Sequence, residues 1–166
     1  METRVVRIDG QDVPDVKVSD HFWLSDFRVY WPKRVCKHDR FPVVCQDVDA
    51  ATALANSLEV LREKLRKPII ITDCLRPTWL VRYIPDSARN SRHLTKWISK
   101  RIMAVDFKVP GVSMKRVYKV ADELMSEPTM RYGIGRPTRM GEGGLGYYRS
   151  HIHYDNRGYR ARWGLK

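Results

Sequence analysis

From Asp47 onward the apolar positions step by three and four. Ala51, Leu54, Leu58, Leu61 and Leu65 fall on one face of a helix, with charged residues opposite and Pro68 as a stop. The run "PIIITD" that follows is β-branched and apolar and ends in turn chemistry, which predicts a short buried strand. A second strand is expected in "IMAVDF", residues 102 to 107. "SMKRVYKVADELMSE" returns to helical spacing, with Ser113 as N-cap and Val117, Val120, Ala121 and Leu124 turned inward. The last third breaks into short pieces, "MRYGIG", "GLGYY" and "SHIHYD", which read as antiparallel strands. Residues 74 to 92 hold two prolines and many polar side chains, a long loop of the kind that often carries function. Residues 21 to 34, aromatic and basic, read as a packed turn or short helix, and residues 35 to 46 as irregular.

Helix, strand, loop, strand, helix and then a run of strands predict an α+β fold. A small central antiparallel sheet flanked by helices suits this order better than a doubly wound parallel one. A chain of 166 residues suits one domain, 1–166, with residues 1–18 as an N-terminal extension.

Charge narrows the partners. Net charge is +12 and the pI is near 9.9, which implies a polyanion: nucleic acid, membrane surface or anionic cell-wall polymer. Three cysteines, Cys36, Cys45 and Cys74, with no CxxC pair, do not make a disulfide framework. No apolar run approaches the roughly 18 residues that a membrane span requires. The charged N-terminus lacks a long apolar stretch and argues against a cleaved secretion signal.

Three features offer chemistry. Gly141, Gly143 and Gly146 have the G-x-G-x-x-G spacing, but an aromatic strand follows them. A phosphate loop needs a helix N-terminus there, so turn glycines in a sheet are the better reading. In "HIHYD", strand alternation puts His151, His153 and Asp155 on one face, which is either solvated or a site. Asp106 lies inside an otherwise apolar strand, where a carboxylate must be paired, for instance with Arg76, or must bind a metal. Two histidines and a carboxylate on separate elements make a three-ligand site with one position open to water.

In order along the chain, "SDHFWLSDF", the Leu-striped helix leading into "PIIITDCLRP", "SRHLT…MAVDF" and "GGLGYYRSHIHYDNRG…ARW" resemble the zinc peptidases of family M15. These D-alanyl-D-alanine carboxypeptidases and murein endopeptidases share an α+β fold with hedgehog domains. The resemblance covers the chain from about residue 19 to its end. It implies Zn2+ as cofactor, His93, Asp106 and His153 as its ligands, and peptidoglycan as substrate. It also implies that Arg76 supports the site or substrate, that Ser91 is the motif serine, and that His151 steadies the bound water or oxyanion. Many relatives have a carboxylate three residues before the last histidine, where this chain has Ser150. Asp155, the nearest carboxylate on the same strand face, is therefore expected as general base, with Glu142 as fallback and His151 able to share the role. His93 and Asp106 are separated by six more residues than in the family's pattern, and "KWISKR" reads as an insertion able to grip substrate.

A monomeric enzyme is expected, made in the cytoplasm without a signal peptide and acting on the cell wall as a small phage-type lysin. Its positive surface would hold it on anionic wall polymer. Two rival readings remain at this point. His-x-Asp with a distant histidine also describes non-haem iron oxygenases, though in the opposite chain order and in longer chains. A non-catalytic nucleic-acid module is supported by charge and by Trp79, Tyr83 and Trp97, but no binding signature accompanies them.

Overall fold

The computed structural model describes residues 2–8, 10–28, 47–78, 90–100, 102–126 and 140–164. The expected irregular segment 35–46, most of the 74–92 loop and the "MRYGIG" strand lie outside the described residues, as do Cys36 and Cys45. Among the described residues no helix is long and apolar enough to cross a membrane.

The segment expected as an N-terminal extension contains two strands. β1 (Thr3–Ile8) pairs antiparallel with β2 (Gln11–Val16), and Gly10, with φ of 87°, takes the left-handed turn between them. Alternation places Ile8, Val6 and Val13 toward the core. Asp15, fully buried on the same face, accepts hydrogen bonds from the Ser25 backbone N–H and hydroxyl and from Arg4 Nε, at 2.8 to 2.9 Å. The ribbon is thereby fastened to the 3-10 turn Leu24–Asp26, where the aromatic segment had been expected to turn. The pattern "TRVVRIDGQDVPDV" was too short and too charged to show this, because half of its inward face is polar.

α1 (Val48–Leu65) begins where Asp47 accepts the Ala50 N–H at 2.9 Å, and ends at Arg66 in a left-handed conformation. Ala51, Leu54, Leu58 and Leu61 are fully buried as the spacing requires, while Leu65 at the last turn is only partly covered. α2 (Met114–Ser126) is capped by Ser113 and packs Val117, Ala121 and Leu124 inward. The two helices touch each other, and α2 also lies on the sheet.

The main sheet has five strands, β3 (Ile70–Asp73), β4 (Ala104–Lys108), β5 (Gly144–Tyr147), β6 (Ile152–Asp155) and β7 (Ala161–Trp163), in the order β3-β4-β6-β5-β7. All neighbours are antiparallel except β5 and β7, which run parallel. This modifies the expected all-antiparallel sheet. After the β5–β6 hairpin the chain reverses once more and docks on the free edge of β5, so it must run in the direction of β5. Period-two alternation then divides the two faces. Ile71, Val105, Phe107, Leu145, Ile152 and Tyr154 enter the core, and Asp106, His153, Asp155, Gly144 and Gly146 occupy the opposite face.

The Asp15 anchor gives a stability prediction. Asp15→Ala leaves the Ser25 N–H without its acceptor and is expected to cost about 1–3 kcal/mol in urea unfolding. A loss below about 0.5 kcal/mol would show that the ribbon is not part of the cooperative unit.

Candidate metal centre

The register builds the centre. Asp106 on β4 lies directly opposite His153 on β6, and His153 opposite Gly146 on β5, which in turn lies opposite Trp163 on β7. Asp73 on β3 completes this row on the other side of Asp106. One cross-strand row therefore carries two carboxylates, a histidine, a glycine and an indole on the face away from the core.

His93 reaches the row from the loop after β3. A bridge between Arg76 and Leu94 holds this loop, with the Arg76 N–H donating to the His93 carbonyl at 2.8 Å. His93 Nε2, Asp106 Oδ1 and His153 Nδ1 lie 2.9 to 3.2 Å from one another. All three residues are buried, and together they form a group able to hold a metal ion. The donor set fits zinc: two imidazoles and one carboxylate are ligands of the right softness and number for an open site.

The outward nitrogens are also committed. His93 Nδ1 lies 2.6 Å from the Cys74 carbonyl oxygen, so it carries the proton and leaves Nε2 as the donor atom. His153 Nε2 lies 3.0 Å from Asp155 Oδ2, which fixes its ring in the opposite sense and leaves Nδ1 facing Asp106 and His93. With the outward nitrogens so engaged, His93 Nε2 and His153 Nδ1 are the ring atoms left facing the same point. Burial opposes the charge of Asp106, but hydrogen bonds with His153 and His93 outweigh it and hold the carboxyl far below its usual range. Burial likewise opposes a charged His153, and its contacts with Asp106 and Asp155 reverse that and raise its pKa.

Asp155 is fully buried, and both its oxygens are occupied. Oδ1 accepts from the Arg157 backbone N–H, from Arg157 Nε and from Gly144 N–H, while Oδ2 meets His153 and Arg157 Nη2. It stands behind His153, on the side away from the other two donors. That geometry does not support the expected proton-accepting role; it suits a carboxylate that orients the histidine. Glu142, the fallback, is exposed and belongs to no part of the cluster.

The second Asp106 oxygen faces two groups. Arg76 Nη2 lies 3.4 Å from Oδ2 and His151 Nε2 lies 3.7 Å from it. Arg76 is held in place by Asp73, which accepts its Nε at 2.9 Å and its Nη2 at 2.6 Å. His151 is only partly buried. Its ring stacks on Tyr148 with centroids 4.5 Å apart, and its Nδ1 is 2.9 Å from the Ser150 hydroxyl. Burial lowers its pKa, the strongest influence on it, so the ring is neutral near pH 7. The Ser91 hydroxyl accepts the His93 N–H at 3.4 Å and so bears on the loop rather than on the donor atoms.

Three contributors were given no role by the sequence, Asp73, the Cys74 carbonyl and Arg157, and a fourth, Trp163, appeared there only within the closing "ARW" of the resemblance. Trp163 packs beside His153, with ring centroids 5.1 Å apart, and donates Nε1 to the Tyr148 hydroxyl at 3.0 Å. A Cβ on Gly146 would lie 2.4 Å from the indole nitrogen, and one on Gly144 would lie 2.4 Å from Asp155 Oδ2. These glycines clear the sheet face for the indole and for the Asp155–Arg157 pair. They do not cradle phosphate: a strand follows them, not a helix.

A buried two-histidine, one-carboxylate centre on the open face of a small α+β sheet is the donor arrangement of a mononuclear catalytic metal site. The family model for Peptidase M15 matches residues 32–155, and the chain belongs to that family. The family is one of peptidases, generally zinc-dependent and acting at family level on peptidoglycan. No curated protein matches the chain, and no solved structure does.

Replacing Asp155 with Asn removes the charge behind His153 and frees its tautomer. Zinc affinity measured against a competing chelator is expected to fall about 10- to 100-fold. Unchanged affinity would show that Asp155 has no hold on the centre.

Proposed function

We propose that this chain is a zinc-dependent peptidase that hydrolyses an amide bond in the stem peptide or cross-link of peptidoglycan, in a lytic role. The convergence of His93 Nε2, Asp106 Oδ1 and His153 Nδ1 at 2.9 to 3.2 Å, each backed by its own partner, carries this reading. Family membership supports the reaction class. A net charge of +12 supports a polyanionic wall as the place of action.

In this reading His93, Asp106 and His153 hold the zinc. When bound, zinc supplies a water of lowered pKa and a Lewis acid for the scissile carbonyl. The chain's own groups do the rest. His151, neutral and beside the second oxygen of Asp106, takes the proton from the attacking water and returns it to the leaving amine. Arg76, braced by Asp73, presents its guanidinium to the developing oxyanion or to a substrate carboxylate. Asp155 keeps the His153 lone pair aimed, with Arg157 neutralising the carboxylate so that its burial is tolerated. Asp155 is thus proposed as a positioning residue, and His151 takes the base role first expected of it. Ser91 steadies the loop that delivers His93.

The test is incubation of zinc-loaded protein with purified peptidoglycan, with and without chelator, and identification of the released ends by mass spectrometry. Zinc-dependent release of new amine and carboxylate ends is expected; release that survives complete metal removal would refute the mechanism. His151→Ala is expected to keep its zinc and lose about 10²- to 10⁴-fold in kcat. Should it lose less than about fivefold, the proton-transfer role belongs elsewhere.

A further inference from the structure

β5 and β6 are joined by a tight turn with Arg149 and Ser150 at its tip, closed by the Tyr148 N–H donating to the His151 carbonyl at 3.1 Å. The rings of the two closing residues are stacked, 12° from parallel with centroids 4.5 Å apart. Tyr148 thus meets His151 twice, once through the backbone and once through the side chain. The far end of the phenol is tied as well. Its hydroxyl accepts Trp163 Nε1 at 3.0 Å, and the indole is seated on the sheet face over Gly146.

Neither burial nor the turn accounts for this ring. Tyr148 is 42% exposed, so it adds little to the core. The bond that closes the turn runs from backbone to backbone, so any side chain at 148 would permit it. The stack does something else: it fixes the plane of the imidazole. A partly buried histidine at the end of a turn has two side-chain torsions, and rotation about the second swings Nε2 away from the sheet. Here Nε2 stands 3.7 Å from Asp106 Oδ2. The Ser150 hydroxyl, 2.9 Å from Nδ1, is a second restraint, but it is exposed and water can replace it. A stacked aromatic face has no such substitute.

We propose that Tyr148 is a positioning residue for proton transfer: stacked on His151 and braced by Trp163, it keeps His151 Nε2 at the Asp106 edge of the metal centre. The proposal rests on the reading of His151 as the proton-transfer group and adds the residue that sets its geometry. A group held in this way reacts from one orientation, and small misplacements of such a group are costly in rate.

The test compares Tyr148→Ala, Tyr148→Phe and His151→Ala in the full zinc-loaded chain, with a soluble stem peptide as substrate. Tyr148→Ala is expected to lower kcat about 10- to 100-fold while KM and zinc affinity stay within about twofold of wild type. Tyr148→Phe keeps the stack, loses only the tie to Trp163, and is expected to recover kcat to within about threefold. Tyr148→Leu, which keeps bulk without a ring, replaces the alanine variant should that one fail to fold. NMR of ring-labelled histidine gives a readout apart from activity. The His151 ring signal, assigned by its loss in His151→Ala, should be shifted upfield by the stacked phenol in wild type and in Tyr148→Phe, and should lose that shift in Tyr148→Ala. An unshifted signal in wild type, unchanged kcat in Tyr148→Ala, or equal loss of kcat in the Ala and Phe variants overturns the proposal. So does a rise in KM at constant kcat, which would make Tyr148 a substrate contact instead. If His151→Ala loses activity and Tyr148→Ala does not, the positioning role alone falls. If His151→Ala keeps its kcat, the proton-transfer reading falls and takes the proposal with it.

Discussion

The pairing of Asp106 with His153 across β4 and β6 is the constraint on which the rest of the structure depends. Strand side chains alternate, so a slip of one residue would turn both candidate ligands into the core and Val105 or Tyr154 out of it. The hydrophobic face of the sheet therefore enforces the register that assembles the chemical face. α2 presses on β5 and β6 from the core side, and the buried Phe107, Leu145, Ile152 and Tyr154 have no other arrangement that keeps them dry. Stability of the core and geometry of the centre are two consequences of one alignment.

What the chemical face demands explains its unusual composition. A strand face with Gly144 and Gly146 gives up side-chain packing and carries an entropic cost, yet both positions are filled from elsewhere. Trp163 lies over Gly146, and the Asp155 and Arg157 side chains lie over Gly144. The parallel addition of β7 makes this possible, because it sets Trp163 opposite Gly146 in the same row as His153. An indole there shields one side of the imidazole, and through the Tyr148 hydroxyl it is linked to the ring that stacks on His151. The strand order thus supplies second-layer support for both histidines of "HIHYD".

Local periodicity made the helices and the inner strands legible, because each segment buries a face and the spacing of that face is written in the sequence. Ala51, Leu54, Leu58 and Leu61 follow the 3.6-residue repeat, and Asp47 and Ser113 cap as their types prefer. The three candidate ligands were visible for another reason: a carboxylate inside an apolar strand and two histidines near turn residues are costly without a task. The N-terminal ribbon was not legible, because Asp15 and Arg4 take inward positions that apolar residues would normally mark. Nor was the placing of Asp155 behind His153. Its place on the right strand face is a matter of alternation, but which side of His153 it stands on depends on ring orientation and on Arg157, two residues further along.

The same reasoning separates the two kinds of carboxylate in the centre. Asp106 and Asp155 lie on adjacent strands, on the same sheet face, and both are held ionised against burial. Asp155 owes this first to Arg157 and then to His153, so its charge is neutralised within the protein and it has no lone pair left to offer. Asp106 owes it to the two imidazoles, which are themselves the other donors, and Arg76 and His151 stand only at the margin of its second oxygen. A cation placed among His93, Asp106 and His153 would be met by the two ring nitrogens and the carboxylate oxygen and would leave the Asp155 pair undisturbed. The outer ion pair is therefore a fixed part of the scaffold. The inner cluster is the part whose charge balance would change on metal binding, and the proposed chemistry is for that reason assigned to the Asp106 side of His153.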